Sequence, residues 1–177
     1  KRLSDAQRDG DTIWGVVRGT ASNHDGQSNG FTAPSGTAQQ AVMRKSLAQA
    51  GIDASEVGYV EAHGTGTPLG DAIEAESVAA VYGKADPIYL GAVKSQVGHT
   101  EAAAGLAGLL KVVMALQKQV LPPNLHLTED HPQIDAKQII LPRKSYVLQT
   151  SYGAVSSFGF TGTNVHVILE KAPDELA

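Results

Sequence analysis

No cysteine occurs among the 177 residues. That absence excludes disulfides, cysteine-ligated zinc, iron–sulfur clusters and a thiol nucleophile from within these residues. Aromatic residues are scarce, at 5%. Basic residues are outnumbered, with 14 Lys and Arg against 18 Asp and Glu, for a formal net charge of -4. The chain therefore carries no electrostatic footprint for nucleic acid. No basic run stands beside an apolar helix, so a membrane-surface role is not expected. The most apolar stretch, Ala102 to Leu116, is interrupted by Lys111 and is too short to span a bilayer. The start, Lys1-Arg2-Leu3-Ser4-Asp5, has no initiator Met and no signal- or transit-peptide pattern. It reads as the middle of a longer chain.

What is present is enough length and apolar content, 42% hydrophobic residues, for one globular domain with a core. Strand and helix signals alternate. Ile13 to Val17 reads as a strand, followed by a polar loop from Ala21 to Pro34. Thr37 to Ala50 reads as a helix stopped by Gly51. Val57 to Ala62 is a short strand, and a Gly/Thr turn leads into a helix that Asp71 is expected to cap. Ile88 to Val93 is a buried strand, and Glu101 to Gln117 a long helix. Val147 to Ser157 and Asn164 to Leu169 read as two strands joined by a Gly-rich turn. The pattern predicts an α/β layered fold. The helix from Glu101 is apolar nearly all round, so protein is expected on every side of it. Its Gly105 and Gly108 suit a closely packed neighbouring backbone, and Trp14 is expected in the core.

Three segments carry chemistry-bearing residues. In Glu61-Ala62-His63-Gly64-Thr65-Gly66-Thr67, a His leaves a strand into a Gly-rich turn before a helix, where α/β sheets place their sites. The spacing is not that of a phosphate cradle, and a tight turn with a capping His is the alternative. In Lys94-Ser95-Gln96-Val97-Gly98-His99-Thr100-Glu101, Lys, His and Glu gather at a second strand-to-helix junction. A helix dipole there would favour neutral His99, able to donate to a developing oxyanion. A surface Lys94–Glu101 pair is the alternative. In Ser157-Phe158-Gly159-Phe160-Thr161-Gly162, exposed backbone N–H groups would make an oxyanion hole, or the turn is an ordinary hairpin. No His pair has the spacing of a helical metal site. His24, His126, His131 and His166 read as surface or strand residues.

Gly26-Gln27-Ser28-Asn29-Gly30 matches the nucleophile elbow of serine hydrolases. Asp71 or Asp86, then His99 or His166, would complete a Ser28 triad in chain order. A polar loop before Ser28 and Phe31-Thr32-Ala33-Pro34 after it do not make the strand–turn–helix an elbow needs.

Together these segments resemble the C-terminal half of a β-ketoacyl synthase domain of the modular polyketide synthase type. Asn23-His24-Asp25-Gly26, Thr32-Ala33-Pro34 and Val165-His166-Val167-Ile168-Leu169-Glu170 add to the match. The resemblance implies a thiolase-like layered fold, αβαβα in the full domain, of which residues 1–170 form the C-terminal α/β half. Residues 171–177 begin a linker or tail. It implies decarboxylative Claisen condensation of an acyl thioester with a malonyl-type unit on an acyl carrier protein. His63 and His99 match the family's catalytic histidines, and Lys94 its supporting lysine with Glu101 as partner. Thr65 and Thr67 match contacts to the phosphopantetheine arm of the carrier-borne substrate. The N–H of Phe160 matches the oxyanion-hole donor, and Phe158, Gly159 and Phe160 a gating turn. The nucleophilic Cys would come from a Cys-bearing N-terminal half. A homodimer, a cytoplasmic location and no cofactor bound by this chain are expected. A non-catalytic ketosynthase-like partner subunit is the alternative within the family, and the retained His63 and His99 speak against it. Gln96, Ala72 and Thr161 stand where the family usually has Asn, Pro and Gly.

Overall fold

The computed structural model describes residues 1–26, 34–129, 131–132, 134–135 and 137–173. Helix α1 (Leu3–Asp9) leads into strand β1 (Gly15–His24). Then α2 (Gly36–Ala50), β2 (Val57–Glu61), α3 (Pro68–Tyr82) and β3 (Ile88–Gly91) alternate. The single-turn α4 (Lys94–Val97) and a 3-10 turn over Glu101–Ala103 precede α5 (Ala104–Lys118). Short strands β4 (Val120–Leu121), β5 (Ile139–Ile140) and β6 (Tyr146–Val147) come before the long β7 (Tyr152–Phe158) and β8 (Thr163–Lys171).

Six strands form one sheet in the order β1-β8-β7-β2-β3-β5. β8 runs antiparallel to both its neighbours, while β7, β2, β3 and β5 run parallel. Alternation along the strands divides the core between the two faces. Val60, Ala154 and Ile168 point toward α2 and α3, where Met43, Leu47 and Val78 cover them. Tyr59, Val155 and Leu169 point the other way, onto Val112 and Leu116 of α5. One sheet lies between two helical layers, as an α/β half requires.

Several sequence expectations are corrected. β1 runs on through His24, because it pairs with β8 from Gly15–Lys171 to His24–Thr163. Cross-strand pairing overrides the turn propensity of Ser22 and Asn23. The cap of α3 is Thr67, whose side chain accepts from the N–H of Gly70, with Pro68 at the first helical position. Asp71 instead accepts from the N–H of Gly66 at 3.1 Å.

Helix α5 begins at Ala104, past the expected Glu101. Its glycines approach side chains of this chain's own sheet rather than a foreign backbone. A Cβ on Gly108 would lie 3.0 Å from Val155 and 3.1 Å from Glu61. Its outer face is uncovered: Leu106, Leu110 and Met114 are 65%, 62% and 46% exposed. Trp14, expected in the core, is 61% exposed. Both departures have one physical form, an apolar surface that this chain alone does not cover.

Candidate active site

Strands β2, β3 and β7 are parallel, so their C-terminal ends emerge at one edge of the sheet. The turns singled out from the sequence follow these ends, which is why residues far apart in the chain meet there. They line a cavity of about 840 Å³ whose walls include His63, Thr65, Thr67, His99, Phe158 and Phe160. Gly159 and Glu101 lie on the same wall. Lys94 does not. It lines a second space of about 430 Å³ behind the turn, with Asp71 and Glu74.

The His63 turn is held from behind. The N–H groups of His63 and Gly64 donate to the two carboxylate oxygens of Glu74, at 2.7 and 2.9 Å. The Lys94 ammonium donates to the His63 carbonyl. Gly64 and Gly66 adopt φ of +50° and +78°, which favours glycine, as a tight turn requires. The imidazole stacks edge-on to His99, with ring centroids 5.6 Å apart, and tilted against Phe158 at 5.8 Å. Burial, then the Lys94 ammonium and His99, lowers the His63 pKa to about 4. His63 is therefore neutral near pH 7. Its Nδ1 is buried with no hydrogen-bond partner among the described residues.

Glu74 was missed by sequence reasoning. It lies on α3 at helical spacing with buried Ser77, Val78 and Val81. A carboxylate on that apolar face was the available signal. Burial raises its pKa to about 7, against the two N–H donors. Burial lowers the Lys94 pKa, opposed by Glu74, Glu61 and Asp71.

The expected Lys94–Glu101 pair is corrected. Among the described residues no ion pair joins them. The Glu101 side chain is exposed, and Lys94 faces the carboxylates behind the turn. Glu101 acts through its backbone instead: its N–H donates to His99 Nδ1 at 2.9 Å. An Nδ1 that accepts carries no proton, so the proton sits on Nε2. Glu101 takes φ of +51° to make this contact, a strained angle for a non-glycine residue. The helix-dipole argument for His99 is replaced by this contact, because α5 starts only at Ala104 and the dipole acts within the first turn.

The β7–β8 turn is a tight hairpin, closed by Gly159 N–H to Thr163 O at 2.7 Å and Gly162 N–H to Gly159 O at 2.9 Å. The turn is thus a hairpin, but the Phe side chains expected in the core with it are not both there: Phe160 is 77% exposed. Among the described residues nothing accepts the N–H of Phe160, which leaves a donor at the cavity wall. His24, read as an ordinary surface or strand residue, lines the cavity. Its Nε2 meets the Thr161 carbonyl at 2.9 Å, while Nδ1 accepts from Gly26 N–H at 3.1 Å.

Ser28 lies outside the described residues. His166, one of its two candidate bases, is fully buried, with Tyr82 Oη at 2.7 Å and Ser156 Oγ at 3.0 Å from its ring nitrogens. It has no nitrogen to offer.

Comparison with known proteins matches this architecture to one family. The family model "Beta-ketoacyl synthase, C-terminal domain" matches residues 14–128. Polyketide synthase GfsA of Streptomyces halstedii is 51% identical across all of this chain, which spans 2% of that protein. The spectinabilin polyketide synthase system protein NorA of Streptomyces orinoci is 49% identical over 99% of the chain and 10% of its own length. Among solved structures, the oxazolomycin ketosynthase domain OzmH KS7 of Streptomyces albus superposes with a TM-score of 0.92 at 40% identity. That match covers 99% of this chain and 32% of the other. The ketosynthase from module 6 of the bacillaene synthase of Bacillus subtilis also gives 0.92, at 37% identity over 98% of this chain and 33% of that one. This chain belongs to the β-ketoacyl synthase family, as the C-terminal α/β half of a ketosynthase of the polyketide synthase type, with the thiolase-like layered fold.

Proposed function

We propose that this chain forms half of the active site of a ketosynthase that performs decarboxylative Claisen condensation. A Cys on an N-terminal half takes the growing acyl chain as a thioester. A malonyl-type unit on an acyl carrier protein loses CO2, and its enolate carbon attacks that thioester, expelling the thiolate. The observation that carries the reading is the placement of His63 and His99, ring centroids 5.6 Å apart, on one cavity wall. Enolate formation needs preorganised donors aimed at the thioester oxygen, each worth about 3–4 kcal/mol. His99, with its proton on Nε2, and neutral His63 suit that task. The N–H of Phe160, which nothing accepts among the described residues, suits the oxyanion of the second tetrahedral step. Thr65 and Thr67 would meet the phosphopantetheine arm of the carrier-borne substrate. Lys94 would support the His63 turn from behind. Phe158, Gly159 and Phe160 would gate the cavity.

The same reading includes partners. The uncovered Leu106, Leu110 and Met114 of α5 fit burial against the Cys-bearing half. Family membership supports a homodimer through the ketosynthase and docking of a carrier protein. A cytoplasmic location belongs to the reading as well; no helix among the described residues is long and apolar enough to cross a membrane. We assign residues 1–170 to the half domain and 171–177 to a linker, although β8 continues to Lys171, which pairs with Gly15.

The test uses the domain reconstituted with its Cys-bearing half. His99→Ala should leave self-acylation of the Cys largely intact and lower condensation by about 100-fold or more. Near-parent condensation would remove His99 from the mechanism.

A further inference from the structure

Glu61 and Lys111 form an ion pair inside the protein that the proposed chemistry does not use. Nζ lies 3.0 Å from Oε2, and the side chains of Lys111 and Glu61 are 7% and 0% exposed respectively. The approach is that of an ion pair without an aligned hydrogen bond. Neither residue lines the catalytic cavity. Glu61 sits on β2 and fits beneath α5 because Gly108 has no side chain there. Its Oε2 also accepts from the Tyr59 hydroxyl, and its Oε1 from the N–H of Val93. Lys111 lies 5.8 Å from the centroid of the Tyr59 ring.

A buried ion pair is a poor stabiliser. Desolvating both charges offsets their attraction, and apolar residues of similar volume often serve stability as well or better. The pair therefore invites an explanation in what it holds. Val93 directly precedes Lys94, whose ammonium holds the His63 carbonyl. Glu61 itself stands two residues before His63 on β2. The contacts close a ring: Glu61 to Val93 across the sheet, Val93 to Lys94 along the chain, Lys94 to His63, and His63 back to Glu61. Both Glu61 oxygens act as acceptors, and Lys111 stands against one of them as the counter-charge.

Resting on the condensing reading above, we propose that the Glu61–Lys111 pair is a positioning device. It fixes the end of β3 against the end of β2, and so sets His63 in place against His99. Neither residue touches the reacting atoms.

The decisive variant is Glu61→Leu/Lys111→Met in the domain reconstituted with its Cys-bearing half. It removes both charges together and leaves neither unpaired. The melting temperature should fall, because the Tyr59 hydroxyl and the Val93 N–H lose their acceptor, while self-acylation is retained and the KM for the extender is unchanged. The kcat for condensation should fall about 10- to 100-fold, the scale of an ångström of misplacement. A folded variant with parent kcat overturns the proposal.

Glu61→Gln/Lys111→Met guards against a folding failure, since its amide oxygen still accepts from Val93. It should condense faster than the Leu/Met variant, or retain measurable condensation where that variant does not fold. A Gln/Met variant that is folded but condenses no faster than a folded Leu/Met variant overturns the role of the Val93 contact. Hydrogen exchange at the Val93 amide reads the tether without any turnover. It should be slow in the parent and the Gln/Met variant, and faster when Leu replaces Glu61. Rapid exchange in the parent also overturns the proposal. A parent domain that does not condense sinks the functional reading instead, and the exchange pattern still decides the tether.

Discussion

His63 and His166 are both driven neutral by burial, to about 4 and about 3, yet the surrounding structure treats them differently. His166 lies on β8 between α3 and β7, with Tyr82 and Ser156 meeting its two ring nitrogens. Every bond that imidazole can make is made inside the core. His63 lies just past the end of β2, its backbone held by Glu74 and Lys94, while its Nδ1 has no partner among the described residues. One ring is a structural cross-link and the other retains hydrogen-bonding capacity beside a cavity. Burial and a lowered pKa are common to both, so neither marks a functional histidine. What sets His63 apart is unused capacity on a well-held backbone, the property that the proposed function draws on.

The largest test exchanges the two roles. In the reconstituted domain His63→Ala should lower condensation by about 100- to 1,000-fold with melting near the parent. His166→Ala should do the reverse. It leaves a cavity and two unpartnered hydroxyls, at about 3 kcal/mol of stability, with the rate per folded molecule near the parent's. A large rate loss for His166→Ala, or a collapse in melting for His63→Ala, would break the distinction.

A smaller test uses acid. A lowered histidine pKa means that the unfolded chain binds the proton first, so stability falls as pH drops below about 6.5. His63 contributes this loss down to about 4, and His166 down to about 3. Glu74 acts in the opposite sense. Its folded pKa near 7 lies above the ordinary 4.5, so the native state takes up that proton first and gains stability as pH falls from 7 toward 4.5. Urea unfolding between pH 4.5 and 6.5 should therefore differ in slope between the parent and His166→Gln by one proton, about 1.4 kcal/mol per pH unit. Parallel slopes would mean that His166 is not held neutral.

The smallest test moves the support of His63 and leaves its ring alone. Thr67→Ala removes the cap of α3, the helix that carries Glu74 to the turn. A loss of about 1 kcal/mol in thermal unfolding is expected. No change in stability would mean that the turn needs no help from the helix end.

The alternation of elements was legible in the sequence because periodicity and glycine-bounded turns are local. The same holds for His63, just past the end of β2, and for His99, in the Gly98 turn between α4 and the Glu101–Ala103 3-10 turn. The cap is legible too, since Pro68 follows Thr67, although Asp71 is a residue type that also caps helices. Glu74 and the true surroundings of Lys94 were not, because both depend on the register of α3 against the β2 turn. The sequence displays the carboxylate of Glu101, whereas its amide makes the contact, which no side-chain pattern announces. The burial expected of Trp14 and of the outer face of α5 rests on apolar character, which does not say which chain does the covering.

The strained backbone at Glu101 has a consequence for transplantation. The contact that places the proton of His99 on Nε2 spans only two residues. It is a property of one short loop and should travel with residues 98–101 if that loop were grafted onto another strand–helix junction. The neutrality of His63 would not travel, because it is imposed by distant segments that keep water away. A graft of both turns should thus reproduce the tautomer of one histidine and lose the charge state of the other, which two-dimensional NMR of labelled imidazoles would read directly.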